Sequence, residues 1–109
     1  MLGIKRKINR KKTVSNVYKK QINEDRYGNE TYDYPKEPSF QIKVMWLPVS
    51  SEVAVAEYGE RVNEMMQACL FDDSEIIEND RVLIKGSFYN IISIKQYPSY
   101  RLLLAERVM

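Results

Sequence analysis

The chain has 109 residues, enough for one modest core and too few for two. Hydrophobic residues make up 44% and charged residues 29%, an ordinary balance that argues against wholesale disorder. The charge is unevenly placed: residues 1–23 hold Lys5, Arg6, Lys7, Arg10, Lys11, Lys12, Lys19 and Lys20 with no acid, a local +8 that leaves the other 86 residues at −6 within a total of +2.

In chain order, residues 1–12 show no apolar periodicity, and the expectation there is a mobile basic arm ahead of a single domain over 13–109. "TVSNVYKK" sets Val14, Val17 and Tyr18 among polar residues and predicts a first strand. The Tyr/Pro-rich stretch at 27–38 reads as a loop, with Gly28-Asn29 tolerating positive φ and Pro35 and Pro38 barring a helix. "SFQIKVMWLP" alternates, with Phe40, Ile42, Val44 and Trp46 on one face and Gln41, Lys43 and Met45 on the other. It predicts a strand stopped by Pro48, with Trp46 in the core.

"SEVAVAEYGERVNEMMQACLFDD" is two-sided. Val53 and Val55 alternate as in a strand, while Val62, Met65, Met66, Cys69 and Leu70 sit at helical spacing. The favoured reading is a short helical turn near Arg61–Glu64 and then a strand over about Met65–Phe71, with Cys69 a small buried hydrophobe. Past the acidic turn, "RVLIK", "FYNIISIK" and "RLLLAERV" are three strands joined by turns at Gly86-Ser87 and "YPSY", a meander. The fold class expected is mainly β: a small single-domain barrel of five to six strands, curled to hide its edges.

Chemistry-bearing patterns are scarce. The chain has no histidine, which removes Ser–His and Cys–His nucleophilic pairs and histidine metal sites. One cysteine makes no internal disulfide and fits a reducing cytoplasm. Asp72, Asp73, Glu75 and Glu78 cluster, but in a turn and without the order of an EF-hand loop. The glycines, at 3, 28, 59 and 86, are too scattered for a phosphate loop. No apolar run approaches the roughly 18 residues that span a bilayer, and no apolar stretch of a secretory signal follows the first charges. The expectation is no enzyme, no cofactor, no metal and no membrane partner.

Binding is the remaining possibility. Lys5, Arg6, Lys7, Arg10, Lys11 and Lys12 have the density that binds phosphate backbones through counterion release. They equally fit an acidic protein surface or a solvated tail. Tyr27, Tyr32, Tyr34, Tyr97 and Tyr100 fall in or beside turns, where a tyrosine stacks on a base, covers a barrel end or anchors a protein interface. Tyr58, before Gly59, joins them as a candidate interface residue.

The order of these features resembles a known family. "TVSNVYKK…EDRYGNETY" is similar to the opening of small head-tail connector proteins of long-tailed bacteriophages. "SEVAVAEYGERV" resembles their central Glu-x-x-x-x-(Phe/Tyr)-Gly segment, and "IIENDRVLIKGSFYNIISIKQYP" their Asp, short strand, glycine turn and strand. The family is that of head-completion (stopper-like) proteins, also called minor capsid proteins, and the likeness covers about residues 13–109. Ser51-Glu52 departs from it by lacking the glycine that often precedes that glutamate. The resemblance implies a small barrel made in the bacterial cytoplasm and assembled in the virion as a ring below the portal and its adaptor. There it would help retain packaged DNA, close the channel with its loops and dock tail-joining proteins. By position, Tyr27-Gly28-Asn29 and Tyr58-Gly59 would be turn or interface elements, and Asp80, Gly86 and Tyr89 would form the barrel. The alternative is an OB- or SH3-like nucleic-acid-binding module, with the arm on phosphates and loop tyrosines on bases.

Overall fold

A computed structural model describes residues 12–108. Among them, in chain order, are β1 (Thr13–Tyr18), β2 (Gln21–Glu24), β3 (Glu30–Asp33), β4 (Phe40–Val44), β5 (Leu47–Pro48), α1 (Glu52–Tyr58), a 3-10 helix (Gly59–Glu64), β6 (Met65–Leu70), β7 (Arg81–Ile84), β8 (Ser87–Gln96) and β9 (Arg101–Arg107). Seven strands form one antiparallel sheet in the order β4-β1-β7-β8-β9-β6-β5, and β2 and β3 pair apart from it as a hairpin.

The two edge strands of that sheet, β4 and β5, are separated in the chain by Met45 and Trp46 alone. Three Cα steps reach at most about 11 Å, so the edges are held together and the sheet curls. The mainly β, curled-sheet expectation holds. With β4 and β5 taken as one strand kinked at Met45-Trp46, six staves go round, within the expected five to six. The hairpin is an addition, because its strands lie in and before the stretch that composition marks as a loop.

Alternation puts the apolar residues inside. Ile42, Val44 and Trp46 are buried while Gln41 and Lys43 are exposed, as their spacing predicts. Val17, Val82, Ile84, Ile91, Leu103 and Ala105 join them in one cluster. The Trp46 indole N–H donates to the buried Ser15 hydroxyl at 3.0 Å, so both polar atoms are satisfied within the core.

Turn chemistry sets the meander. Lys85 (φ 49°) and Gly86 (φ 81°) between Ile84 and Ser87 have the two positive φ values of a type I′ hairpin turn. β8 pairs with β7 at its start and with β9 along most of its length. Ile92 is an extra residue in the β8–β9 ladder, a bulge that bends the long strand between its two partners.

The segment at 51–64 differs from expectation. Val53 and Val55 lie on a helix rather than a strand. The Ser51 side chain accepts from the Ala54 amide at 3.1 Å, an N-cap, and Glu52 follows in the first turn. None of α1 is buried, so the alternation of its valines recorded no core face. The helical turn expected near Arg61–Glu64 begins earlier, at Gly59, and the strand after it runs as expected to Leu70, leaving Phe71 outside. Cys69 is half-buried on the outer face of β6, between inward Ala68 and Leu70, rather than in the core. Its partial burial raises the thiol pKa.

Between β6 and β7, residues 71–80 run past β4, and Asp73–Glu75 share a crevice with Ser39–Gln41. This connection is pinned from within. The Asp80 side chain, 2% exposed, meets the Lys19 ammonium at 2.9 Å and accepts from the Ile77 amide at 2.9 Å. Lys19 also donates to the Glu75 carbonyl. Because Lys19 is a third exposed and Asp80 is not, the two partners are not equivalent. Lys19→Met strands a carboxylate in the core and should cost about 3–5 kcal/mol. Asp80→Asn keeps an acceptor for the Ile77 amide and should cost about 1–3 kcal/mol. Urea unfolding checks the ranking, and a smaller loss for Lys19→Met contradicts it.

Candidate functional site: a projecting hairpin and an aromatic patch

The β2–β3 hairpin leaves the barrel just after Tyr18, and every residue of both strands is exposed. An unsupported two-stranded ribbon is marginal in water, so its order has to come from its two ends. At the tip, the Asp25 carboxylate accepts from the Tyr27 amide at 2.8 Å and the Asn29 amide at 2.9 Å. The Gly28 amide donates to the Asp25 carbonyl, with φ 81° at Gly28. Those two amides, Asn29's first, hold the Asp25 pKa below its ordinary value. At the base, the Tyr34 hydroxyl donates to the Asn79 carbonyl at 2.7 Å, and the Arg81 guanidinium lies 4.0 Å from the Tyr34 ring. The hairpin thus carries a stiff tip on a clamped base. Its surface is largely polar, with the acids Glu24, Asp25, Glu30 and Asp33, and three large side chains stand out on it: Ile22 and Tyr32 are exposed and Tyr27 is 76% exposed, with Lys20 over Tyr32 at 4.1 Å and Arg26 over Tyr27 at 5.3 Å.

The second feature is an aromatic patch where β6 ends and β8 turns into β9. Tyr97 and Tyr100 stack with centroids 5.0 Å apart, and Tyr100 meets Phe71 at 5.9 Å. Arg101 donates to the Asp72 and Ser74 carbonyls at 3.0 and 2.8 Å, fixing the acidic turn beside the rings. Lys12, the first described residue, places its ammonium 4.8 Å from the Phe71 centroid, which sets a cation on this patch.

The structure brings only some of the sequence-predicted residues together. Lys12, Tyr97 and Tyr100 share the patch, and Tyr27 and Tyr32 share the hairpin. Tyr34 is half-buried in the clamp, and its hydroxyl is engaged within the chain. Tyr58 closes α1 beneath the Arg61 guanidinium, 5.4 Å away, and its hydroxyl pKa is raised by desolvation and then by Glu57. Lys5, Arg6, Lys7, Arg10 and Lys11 lie outside the described residues. Phe71, Arg101 and Ile22 were missed. A large aromatic set directly between a strand and an acidic turn was a usable signal for Phe71. Nothing local distinguished Arg101.

No family model and no curated protein sequence matches the chain. Solved structures do. The solution structure of protein SF1141 from Shigella flexneri 2a is similar with a TM-score of 0.64 at 17% identity, over 86% of this chain and 89% of that one. The xkdH protein of the phage-like element PBSX from Bacillus subtilis is similar with a TM-score of 0.55 at 12% identity, over 88% of this chain and 95% of that one. At these identities what is shared is the fold, and it is shared along nearly the whole length of a protein from a phage-like element. No helix of the described residues is long and apolar enough to cross a membrane.

The lowered pKa of Asp25 gives the hairpin tip a pH dependence of known sign. Its carboxylate stabilises the tip above the ordinary value of 3.8, and that contribution is lost as the pH falls through the lower folded value. The Tyr27 and Asn29 amide resonances should therefore move together with a midpoint below 3.8. A midpoint at or above 3.8 would show that the amides do not hold the carboxylate.

Proposed function

We propose that this protein is a structural component of a phage head-tail connector. In this reading it is a head-completion (stopper-like) protein of the virion, assembled as a ring below the portal and adaptor, where it helps retain packaged DNA and docks the tail-joining protein. It acts by being bound, with no reaction of its own. The observation that carries the reading is the fold shared end to end with a protein of a phage-like element. The order of turn and strand motifs in the sequence points the same way. So does the surface: a small barrel with a stiffened, aromatic hairpin and a separate aromatic patch has two distinct contacts to offer, as a ring subunit requires of a head-to-tail interface. Lys5, Arg6, Lys7, Arg10, Lys11 and Lys12 would meet a polyanion there, either packaged DNA or an acidic adaptor surface.

Deleting the gene from the phage genome that encodes it should give filled or leaking heads and free tails that do not join, visible by electron microscopy. Normal tailed particles would end the proposal. Tyr27→Ala, at the exposed tip, should change the stability of the isolated chain by less than about 0.5 kcal/mol. It should lower incorporation into particles at least about tenfold, as loss of an aromatic anchor does. If instead the isolated chain binds random-sequence DNA tightly, with an affinity that falls steeply with salt, the nucleic-acid-module alternative takes its place.

A further inference from the structure

The Lys12 ammonium, 4.8 Å from the Phe71 centroid, lies at one side of a group of three rings. Phe71 is exposed, Tyr100 meets it at 5.9 Å, and Tyr100 stacks in turn on exposed Tyr97 at 5.0 Å. The Tyr97 amide donates to the Tyr100 carbonyl at 2.8 Å, closing the tight turn that holds the two tyrosines side by side. Next to the rings is a crevice of about 420 Å³, lined by Phe71, Asp72, Asp73, Pro98 and Tyr100 among others.

The charged groups of this crevice are not equally engaged. Arg101 donates to the Asp72 and Ser74 carbonyls and lies 4.0 Å from the Asp72 carboxylate, which also accepts from the Ser74 amide at 2.8 Å. Asp73 is exposed and forms no ion pair among the described residues. The surface therefore offers aromatic rings and one open carboxylate, a combination that attracts cations.

The residues ahead of Lys12 have the matching chemistry. Residues 1–11 include Lys5, Arg6, Lys7, Arg10 and Lys11 and no acid. Lys12 joins them to the patch covalently. In an extended chain alternate residues share a side at intervals of about 7 Å, close to the spacing of the rings. Arg10 is thus the next side chain after Lys12 to face them, and a guanidinium stacks on a tyrosine ring better than an ammonium does.

We infer that residues 1–11 dock across this patch of their own chain, with Arg10 on the tyrosine pair and a neighbouring cation on Asp73. The tether favours this occupant over the same segment of a second copy, because a short link holds it at an effective concentration on the order of millimolar. An acidic partner would meet Asp72 and Asp73 with like charge. The connector reading gives the basic segment and the aromatic patch to different neighbours. Their contact within one chain adds a condition to it: a neighbour reaches the rings only by displacing the segment.

The full chain is treated with trypsin under native conditions, and cleavage after Lys7 and Arg10 is timed by mass spectrometry against a free peptide of residues 1–16. Cleavage follows the undocked fraction, so the full chain should be cut at least about fivefold more slowly than the peptide. Tyr97→Leu keeps an apolar side chain and the backbone turn, and Asp73→Lys reverses the open carboxylate. Each should speed cleavage of the full chain about threefold. Glu60→Lys makes the same change of charge on the 3-10 helix that precedes β6, whereas the patch lies past the other end of that strand. It should leave the rate unchanged. Cleavage as fast as in the peptide, an unchanged rate in either patch variant, or an equal effect of Glu60→Lys would each overturn the inference. Protection that grows with protein concentration assigns the patch to a second copy's segment and overturns it too. None of these results bears on the gene-deletion outcome, so the two proposals fall separately.

Discussion

The two residues between β4 and β5 are the constraint on which the barrel depends. β4 is one edge of the seven-stranded sheet and β5 the other, and a link of Met45 and Trp46 keeps those edges within about 11 Å. A flat sheet of this width would hold its edges several times farther apart, since neighbouring strands are spaced at roughly 4.8 Å. Curling is the only arrangement compatible with the chain. The kink also turns Trp46 inward, where its indole N–H needs a partner, and Ser15 on β1 supplies it. A serine on the inner face of a strand would otherwise be a buried polar group without a purpose.

The sheet closes on the β4–β5 side through the backbone itself, whereas the β1–β7 step carries only two ladder pairs. Between these sites, the Lys19–Asp80 pair ties the end of β1 to the start of β7, and with it the connection at 71–80 and the base of the hairpin. That pair stands at the hairpin end of the β1–β7 ladder, just past Tyr18 and Arg81.

Function on such a scaffold comes from what the barrel holds out. The hairpin has no packed face, and its order comes from Asp25 at the tip and Tyr34 with Arg81 at the base. The energy that shapes this surface is therefore local and does not draw on the core. The aromatic patch is built oppositely, from three segments far apart in sequence that meet around Phe71, Tyr97 and Tyr100. One surface is shaped locally and the other by closure of the barrel.

Local rules made much of the barrel legible in the sequence. The period-2 pattern at 39–46, a turn at Gly86 (expected over Gly86-Ser87 and found one residue earlier, at Lys85-Gly86), the strand after Glu64 and the final meander all follow from side-chain alternation and turn chemistry, which act over a few residues. The same rules misjudged Val53 and Val55, because alternation marks a strand only when one face is buried. α1 buries neither face, and the Ser51 cap decides its form. Long-range facts were out of reach. That Asp80 would find Lys19, that the Tyr34 hydroxyl would reach the Asn79 carbonyl, and that β1 would pair with β7 depend on residues 45 to 65 positions apart. Strand identity was written in the sequence because it is local. The shared aromatic patch was decided only by closing the sheet, since curvature is a property of all its strands at once.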